Sequence, residues 1–171
     1  ITFNATAFDK DYKKTVEPKR FMDEHVHGKN VDFLLLQEVG HTPHGNIKHE
    51  AEANGMEVID GRTVFIAYNP DRLKPLKEKH ERQKIHKDYN KGTGRGMAVR
   101  FSDRHTGLKV KVVNVHAGHN KSKESKQKAK KDIERLHNSW GDWGDVTITG
   151  GDFNELDEIL GVSEIGRPPS S

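Results

Sequence analysis

The stretch Val31-Asp32-Phe33-Leu34-Leu35-Leu36 constrains this chain more than any other. It is a nearly continuous apolar run of strand length, the pattern of a buried central strand. The neighbours such a strand needs are also present. Ile1-Thr2-Phe3-Asn4 reads as a short strand, as does the segment Val146 to Thr149. Residues 56–59 and 63–68 read as two strands around Asp60-Gly61, a dipeptide suited to a hairpin turn. Residues 97–101 and 108–115 form another pair, joined by a turn at His105-Thr106-Gly107.

Helical spacing appears between these runs. One helix is predicted from Val16 to Val26, with Pro18 in its first turn and Gly28 at its end. A second covers residues 47–54 and stops at Gly55. A third, residues 122–140, is polar except for a thin stripe at Ala129, Ile133, Leu136 and Trp140. A short helix is expected over 155–160, and the charged stretch 77–92 is expected to be an exposed basic loop. Strands alternate with helices, yet neighbouring strands also form hairpins. The class is therefore α/β or α+β with a mixed sheet, in one domain spanning residues 1–171.

Composition narrows the chemistry. The absence of cysteine excludes disulfides, Cys-ligated zinc, iron–sulfur ligation and thiol catalysis. A hydrophobic content of 32% and a mean hydropathy of −0.91 suit a modest core with long polar loops. No apolar run approaches the roughly 18 residues of a membrane span, and no signal peptide is visible. The start at Ile1 and the end in Arg-Pro-Pro-Ser-Ser both suggest an excised or processed piece.

The net charge of +3 hides a steep asymmetry. Residues 1–70 carry 8 basic and 11 acidic side chains, net −3; residues 71–137 carry 20 and 8, net +12; residues 138–171 carry 1 and 7, net −6. A basic middle between acidic ends could bind a polyanion beside a carboxylate cluster, as a metal-dependent phosphodiesterase requires. A solvated lysine-rich surface would show the same numbers.

Several apolar strands close on a residue of catalytic type. The first ends in Asn4, the run 31–36 leads into Gln37-Glu38, the strand 108–115 leads into His116, and 146–149 leads to Asp152 and Asn154. Strand ends along one sheet edge are recurrent places for active sites. A carboxylate and an amide oxygen suit a hard cation such as Mg²⁺, and a nearby histidine and second aspartate could handle protons. Taken singly, each residue also has a plain structural reading. Asn4 fits a strand edge, His116 is one of eleven histidines, and Gly-Asp-Phe-Asn could be an Asx turn.

The order of these segments resembles the endonuclease/exonuclease/phosphatase superfamily, the DNase I-like metal-dependent phosphodiesterases. The resemblance is carried by Thr2-Phe3-Asn4, Asp32-Phe33-Leu34-Leu35-Leu36-Gln37-Glu38, Ile66-Ala67-Tyr68-Asn69-Pro70, Asn114-Val115-His116-Ala117 and Gly151-Asp152-Phe153-Asn154. It looks closest to the DNase I and cytolethal-distending-toxin branches. It implies a DNase I-like two-sheet sandwich with flanking helices. It also implies that Glu38 binds Mg²⁺, or another divalent cation such as Mn²⁺ or Ca²⁺, with Asn4 beside it. His116 resembles the histidine that contacts the scissile phosphate and takes part in proton transfer. Asp152 resembles the aspartate that activates water, and Asn154 the amide that holds the phosphate. Tyr68 resembles a phosphate-contacting tyrosine. Arg95 is the candidate for the arginine preceding the strand 97–101, and Arg100 is a poorer one, because alternation could place it on the other face.

One departure stands out. The family ends in a Ser-Asp-His-like motif, and no histidine follows Asp152 here. Three readings stay open: a domain lacking its C-terminal strands, a minimal variant recruiting His119 or another histidine, and a binding-only relative. The basic segments 72–91 and 121–131 suit a nucleic-acid backbone, DNA before RNA, and duplex before single strand because aromatics make up only 7% of the chain. A phospholipid or phosphoinositide phosphoesterase of the same fold is the competing enzyme. A delivered toxin domain neutralised by a cognate inhibitor protein is a related expectation.

Overall fold

The computed structural model describes residues 1–4, 17–38, 44–61, 63–76, 83–86, 95–117 and 122–153. Among them the strands are β1 (Thr2–Asn4), β2 (Phe33–Gln37), β3 (Glu57–Asp60), β4 (Phe65–Tyr68), β5 (Leu73–Pro75), β6 (Gln83–His86), β7 (Arg95–Asp103), β8 (Lys109–His116) and β9 (Val146–Asp152). The helices are α1 (Pro18–His25), α2 (His44–Ala53) and α3 (Lys123–His137). One sheet has the order β1-β2-β4-β3; the other runs β5-β7-β8-β9, with β6 also paired to β7. Each is mixed: β1–β2 and β8–β9 are parallel, and the remaining pairs are antiparallel.

The period-2 alternation of strand side chains explains how these parts stack. Along β2, Leu34 and Leu36 face α1 and α2, where they join Phe21, Met22, Val26, Ile47 and Ala51. Leu35 points the other way, into a core shared by the two sheets with Ile66, Met97, Val99, Phe101 and Val112. The opposite faces of β7 and β8 present Ala98, Val113 and Val115 to Ala129, Ile133 and Leu136 of α3. The layers are therefore helices, sheet, sheet, helix, the expected two-sheet sandwich with flanking helices. Within the run 31–36, Leu34, Leu35 and Leu36 are covered on both faces because they lie between the helical layer and the second sheet, while Val31, Asp32 and Phe33 stay half-buried. Each fully buried aliphatic or aromatic side chain contributes about 1.5–3 kcal/mol to that packing.

Local signals account for the helix ends. Pro18 sits in the first turn of α1. The Ser122 hydroxyl accepts the Ser125 backbone N–H and starts α3. That helix stops at His137, three residues short of the expected end. Trp140, at φ 61, still reaches the apolar cluster under α3. The register Asp60↔Phe65 makes the β3–β4 hairpin loop longer than a two-residue turn. The single loop expected over 77–92 is corrected at 83–86, which form β6 against β7. Its polar sequence Gln83-Lys84-Ile85-His86 carries little strand signal, so the pairing comes from the edge that β7 offers. The helix expected over 155–160 lies outside the described residues.

Gly150 and Gly151 let β9 approach both neighbours. A Cβ on Gly150 would sit 2.9 Å from Leu35 Cδ1 of the facing sheet, and one on Gly151 would sit 1.9 Å from the Val115 carbonyl oxygen. Gly151 also has φ +145, where a side chain is strained. Gly151→Ala is expected to cost about 3 kcal/mol and to lower Tm by roughly 6–12 °C in a circular-dichroism melt.

Candidate active site

Strands β1, β2, β8 and β9 run toward one pole of the sandwich, and β4 and β7 start there. Strand register therefore decides which residues meet. In the first sheet Asn4 lies opposite Gln37, next to Glu38. In the second, Arg95, His116 and Asp152 form one row across β7, β8 and β9. Neighbouring strands lie about 4.8 Å apart, so the row is compact. The Ala117 N–H donates to the Asp152 carbonyl at 2.8 Å and extends the β8–β9 ladder by one bond.

Glu38 and His116 bridge the two sheets. His116 Nε2 lies 3.0 Å from Glu38 Oε1, and both side chains are partly exposed. Simple alternation would not make this contact. Gln37 faces the inter-sheet space, so an extended Glu38 would face the helical layer instead. Its φ of 56 turns the chain, and the carboxylate swings into the cleft. A left-handed glutamate costs about 1–2 kcal/mol, and such outliers cluster where function requires the geometry. The contact fixes the orientation of the His116 ring.

Beneath this pair lies a buried amide network absent from the sequence-based set. Gln37 and Asn114 are almost fully buried. Gln37 Nε2 donates to Asn114 Oδ1 at 2.8 Å and lies within 2.9 Å of Thr2 Oγ1. Asn114 Nδ2 donates to the Leu36 and Phe65 carbonyls at 2.9 and 2.8 Å. A polar residue inside the apolar alternation Val112-Val113-Asn114-Val115 was the available signal.

The predicted site residues separate accordingly. Glu38, His116 and Asp152 are brought to the pole, and the backbones of Asn4 and Arg95 are placed beside them. The side chains of Asn4 and Arg95, together with Asn154 and His119, lie outside the described residues. Tyr68 is a correction. It pairs with Phe33, five residues before Glu38 along β2, so it lies about 17 Å away along the strand, toward the opposite pole. There it is buried against Phe101, with ring centroids 5.1 Å apart, and its hydroxyl donates to Glu57 Oε2 at 2.5 Å. β4 is antiparallel to β2, so its last residue points away from the site. Tyr68→Phe is expected to leave catalytic rate within two-fold while costing about 1 kcal/mol in a denaturant melt.

Arg100 is placed on the outer face, stacked between Trp140 and Trp143 at 4.6 and 4.9 Å. Arg72, at the start of the basic segment 72–91, is also committed at the far pole. It lies 3.5 Å from Asp32 and 3.3 Å from Asp103. The His105 backbone N–H, joined by the Thr106 and Arg72 contacts and opposed by burial, holds the Asp103 carboxyl down at about 2.

Among the described residues, no group of three or more His, Cys, Asp or Glu side chains forms a metal cage. Glu38 and Asp152 nonetheless provide carboxylates at the same pole. One or two carboxylates completed by water and substrate phosphate are a donor set suited to Mg²⁺ rather than to a soft metal. The residues fit a hard cation.

No family model and no curated protein matches the chain. Solved structures do. D. rerio TDP2 complexed with single-strand DNA product aligns at 14% identity over 94% of this chain and 63% of its own, TM-score 0.67. An endonuclease/exonuclease/phosphatase family protein from Bacteroides thetaiotaomicron aligns at 15% over 84% and 57%, TM-score 0.59. ANGEL2, a 2',3'-cyclic phosphatase in complex with adenosine-2',3'-vanadate, aligns at 17% over 83% and 45%, TM-score 0.60. The chain thus spans less than two thirds of each of these proteins and shares their fold, the DNase I-like sandwich.

Proposed function

We propose that this chain is a Mg²⁺-dependent phosphodiesterase that hydrolyses nucleic-acid backbones, with DNA as the favoured substrate. The carrying observation is the Glu38–His116 contact beside Asp152, formed at the pole where β2, β8 and β9 end. Glu38, with Asn4, would hold the cation. A carboxylate has two oxygens and about four lone pairs, so one group can serve both imidazole and metal. When bound, Mg²⁺ stabilises charge on the phosphoryl oxygens or the leaving group. His116, oriented by Glu38, contacts the scissile phosphate and moves a proton. Asp152 orients the attacking water. Arg95 and Asn154 complete the phosphate contacts in this reading.

Charge supports a polymeric substrate. Helix α3 begins seven residues after His116 and carries Lys123, Lys126, Lys128, Lys130 and Lys131. A small phosphoester needs no such field, whereas a nucleic-acid backbone does. TDP2 is complexed with a single-strand DNA product and ANGEL2 with adenosine-2',3'-vanadate, and both likenesses support a nucleotide substrate in this reading. No helix among the described residues is long and apolar enough to cross a membrane.

The test presents supercoiled plasmid, single-stranded DNA, RNA and phosphoinositide vesicles to the chain in Mg²⁺. The expected result is plasmid nicking without headgroup release. Release from vesicles with intact plasmid would overturn the DNA reading in favour of a lipid substrate.

A further inference from the structure

We infer that Asn114 is a positioning residue for the site, acting through Gln37 to hold Glu38 against His116. The inference rests on the proposed site but concerns how that site is assembled. Three observations converge on one side chain. Asn114 is wholly buried, yet both hydrogens of its Nδ2 are donated across the sandwich, to the Leu36 and Phe65 carbonyls of the facing sheet. Its Oδ1 accepts from Gln37, the residue immediately before Glu38. Asn114 itself stands two residues before His116 on the same face of β8. Each partner of the Glu38–His116 contact is thus tethered within two residues of this amide.

The network also bears on the left-handed turn at Glu38. Gln37 is held from two sides, by Asn114 at 2.8 Å and by Thr2 Oγ1 at 2.9 Å. The Leu36 carbonyl is held by Asn114 as well. With the two preceding residues fixed, the chain enters position 38 from one direction, and the αL turn presents the carboxylate to the cleft. Only an amide meets these demands. A carboxylate has no donors for the two carbonyls, and an apolar side chain has neither donors nor an acceptor for Gln37.

The experiment compares Asn114→Asp and Gln37→Met with the unaltered chain, each checked for folding by circular dichroism. Two readouts are taken at a single pH: kcat and KM for plasmid nicking, and the ring-nitrogen NMR resonances of His116, assigned by their loss in His116→Ala. Glu38→Gln supplies the reference displacement of those resonances. Asn114→Asp is expected to reproduce most of that displacement and to lower kcat about 10–100-fold with KM within three-fold, since small misplacements of reacting groups cost rate. Gln37→Met keeps both carbonyl bonds, so it should shift the same resonances in the same direction by less. A merely structural role would leave the resonances of the folded fraction unmoved. Should Asn114→Asp fail to fold, Gln37→Met decides the matter alone. If the folded variants leave His116 unshifted while Glu38→Gln shifts it, the inference is overturned. If the unaltered chain cleaves no phosphodiester, the proposed function fails and the NMR comparison still decides the positioning role.

Discussion

Replacing His116 by alanine is expected to lower plasmid nicking about 10²–10⁴-fold, the range for removing one positioned proton-transfer group. Glu38→Gln should fall in the same range for two separate reasons. The substitution keeps the volume but removes the charge that suits a hard cation, and it removes the carboxylate that orients His116 at 3.0 Å. Neither change should unfold the protein, because both side chains sit at a polar, partly exposed edge away from the apolar clusters. The expected stability change is within about 1 kcal/mol. Because the two residues act as a unit, the double variant should be little worse than the poorer single one. Nicking rates of the three variants, with melts as controls, check this. Full additivity would argue that the 3.0 Å contact has no part in catalysis.

The second large effect concerns α3. At 100° per residue, Lys123, Lys126 and Lys130 share one face of this helix, and Lys128, Lys131 and Arg135 share another. The buried stripe Ala129, Ile133 and Leu136 faces the second sheet. A straight helix can lay one of its two basic faces along a duplex, but not both. Converting the contacting triad to glutamine should therefore remove about three phosphate contacts. The slope of log K against log salt should drop by about 2.7, and affinity near 0.1 M salt should fall about 10²–10³-fold. The other triad should matter within about three-fold. Fluorescence anisotropy with a labelled duplex across a salt series distinguishes them. Unchanged slopes in both triple variants would place the nucleic acid elsewhere.

Much of this architecture was legible in the chain. Leu34-Leu35-Leu36 is apolar at every position because both faces of β2 are covered, and the stripe at 129, 133 and 136 follows helical spacing against one sheet. Glu38, His116 and Asp152 were visible as polar residues that close or follow apolar runs, and they share a pole because β2, β8 and β9 run the same way. Tyr68 was misplaced for the converse reason. A tyrosine just before Asn-Pro fits the motif, but the motif does not reveal that β4 runs antiparallel to β2. Three other features were hidden. β5 is three residues long and ends in Pro75, too brief to show alternation. β6 is polar and owes its pairing to an available edge. The turn at Glu38 is a backbone choice imposed by tertiary contacts, so no local propensity signals it. Gln37 and Asn114 were visible as polar residues inside apolar runs, but their partners are 77 residues apart in sequence. Only the packed sandwich shows that they meet.

The most direct measurement is Mg²⁺-dependent nicking of supercoiled plasmid by the unaltered chain beside Glu38→Gln, each with and without EDTA. The unaltered chain is expected to nick in Mg²⁺, to stop in EDTA and to recover when Mg²⁺ is restored, while Glu38→Gln stays near background throughout. Equal nicking by the folded Glu38→Gln variant, or nicking that survives EDTA, would contradict this expectation.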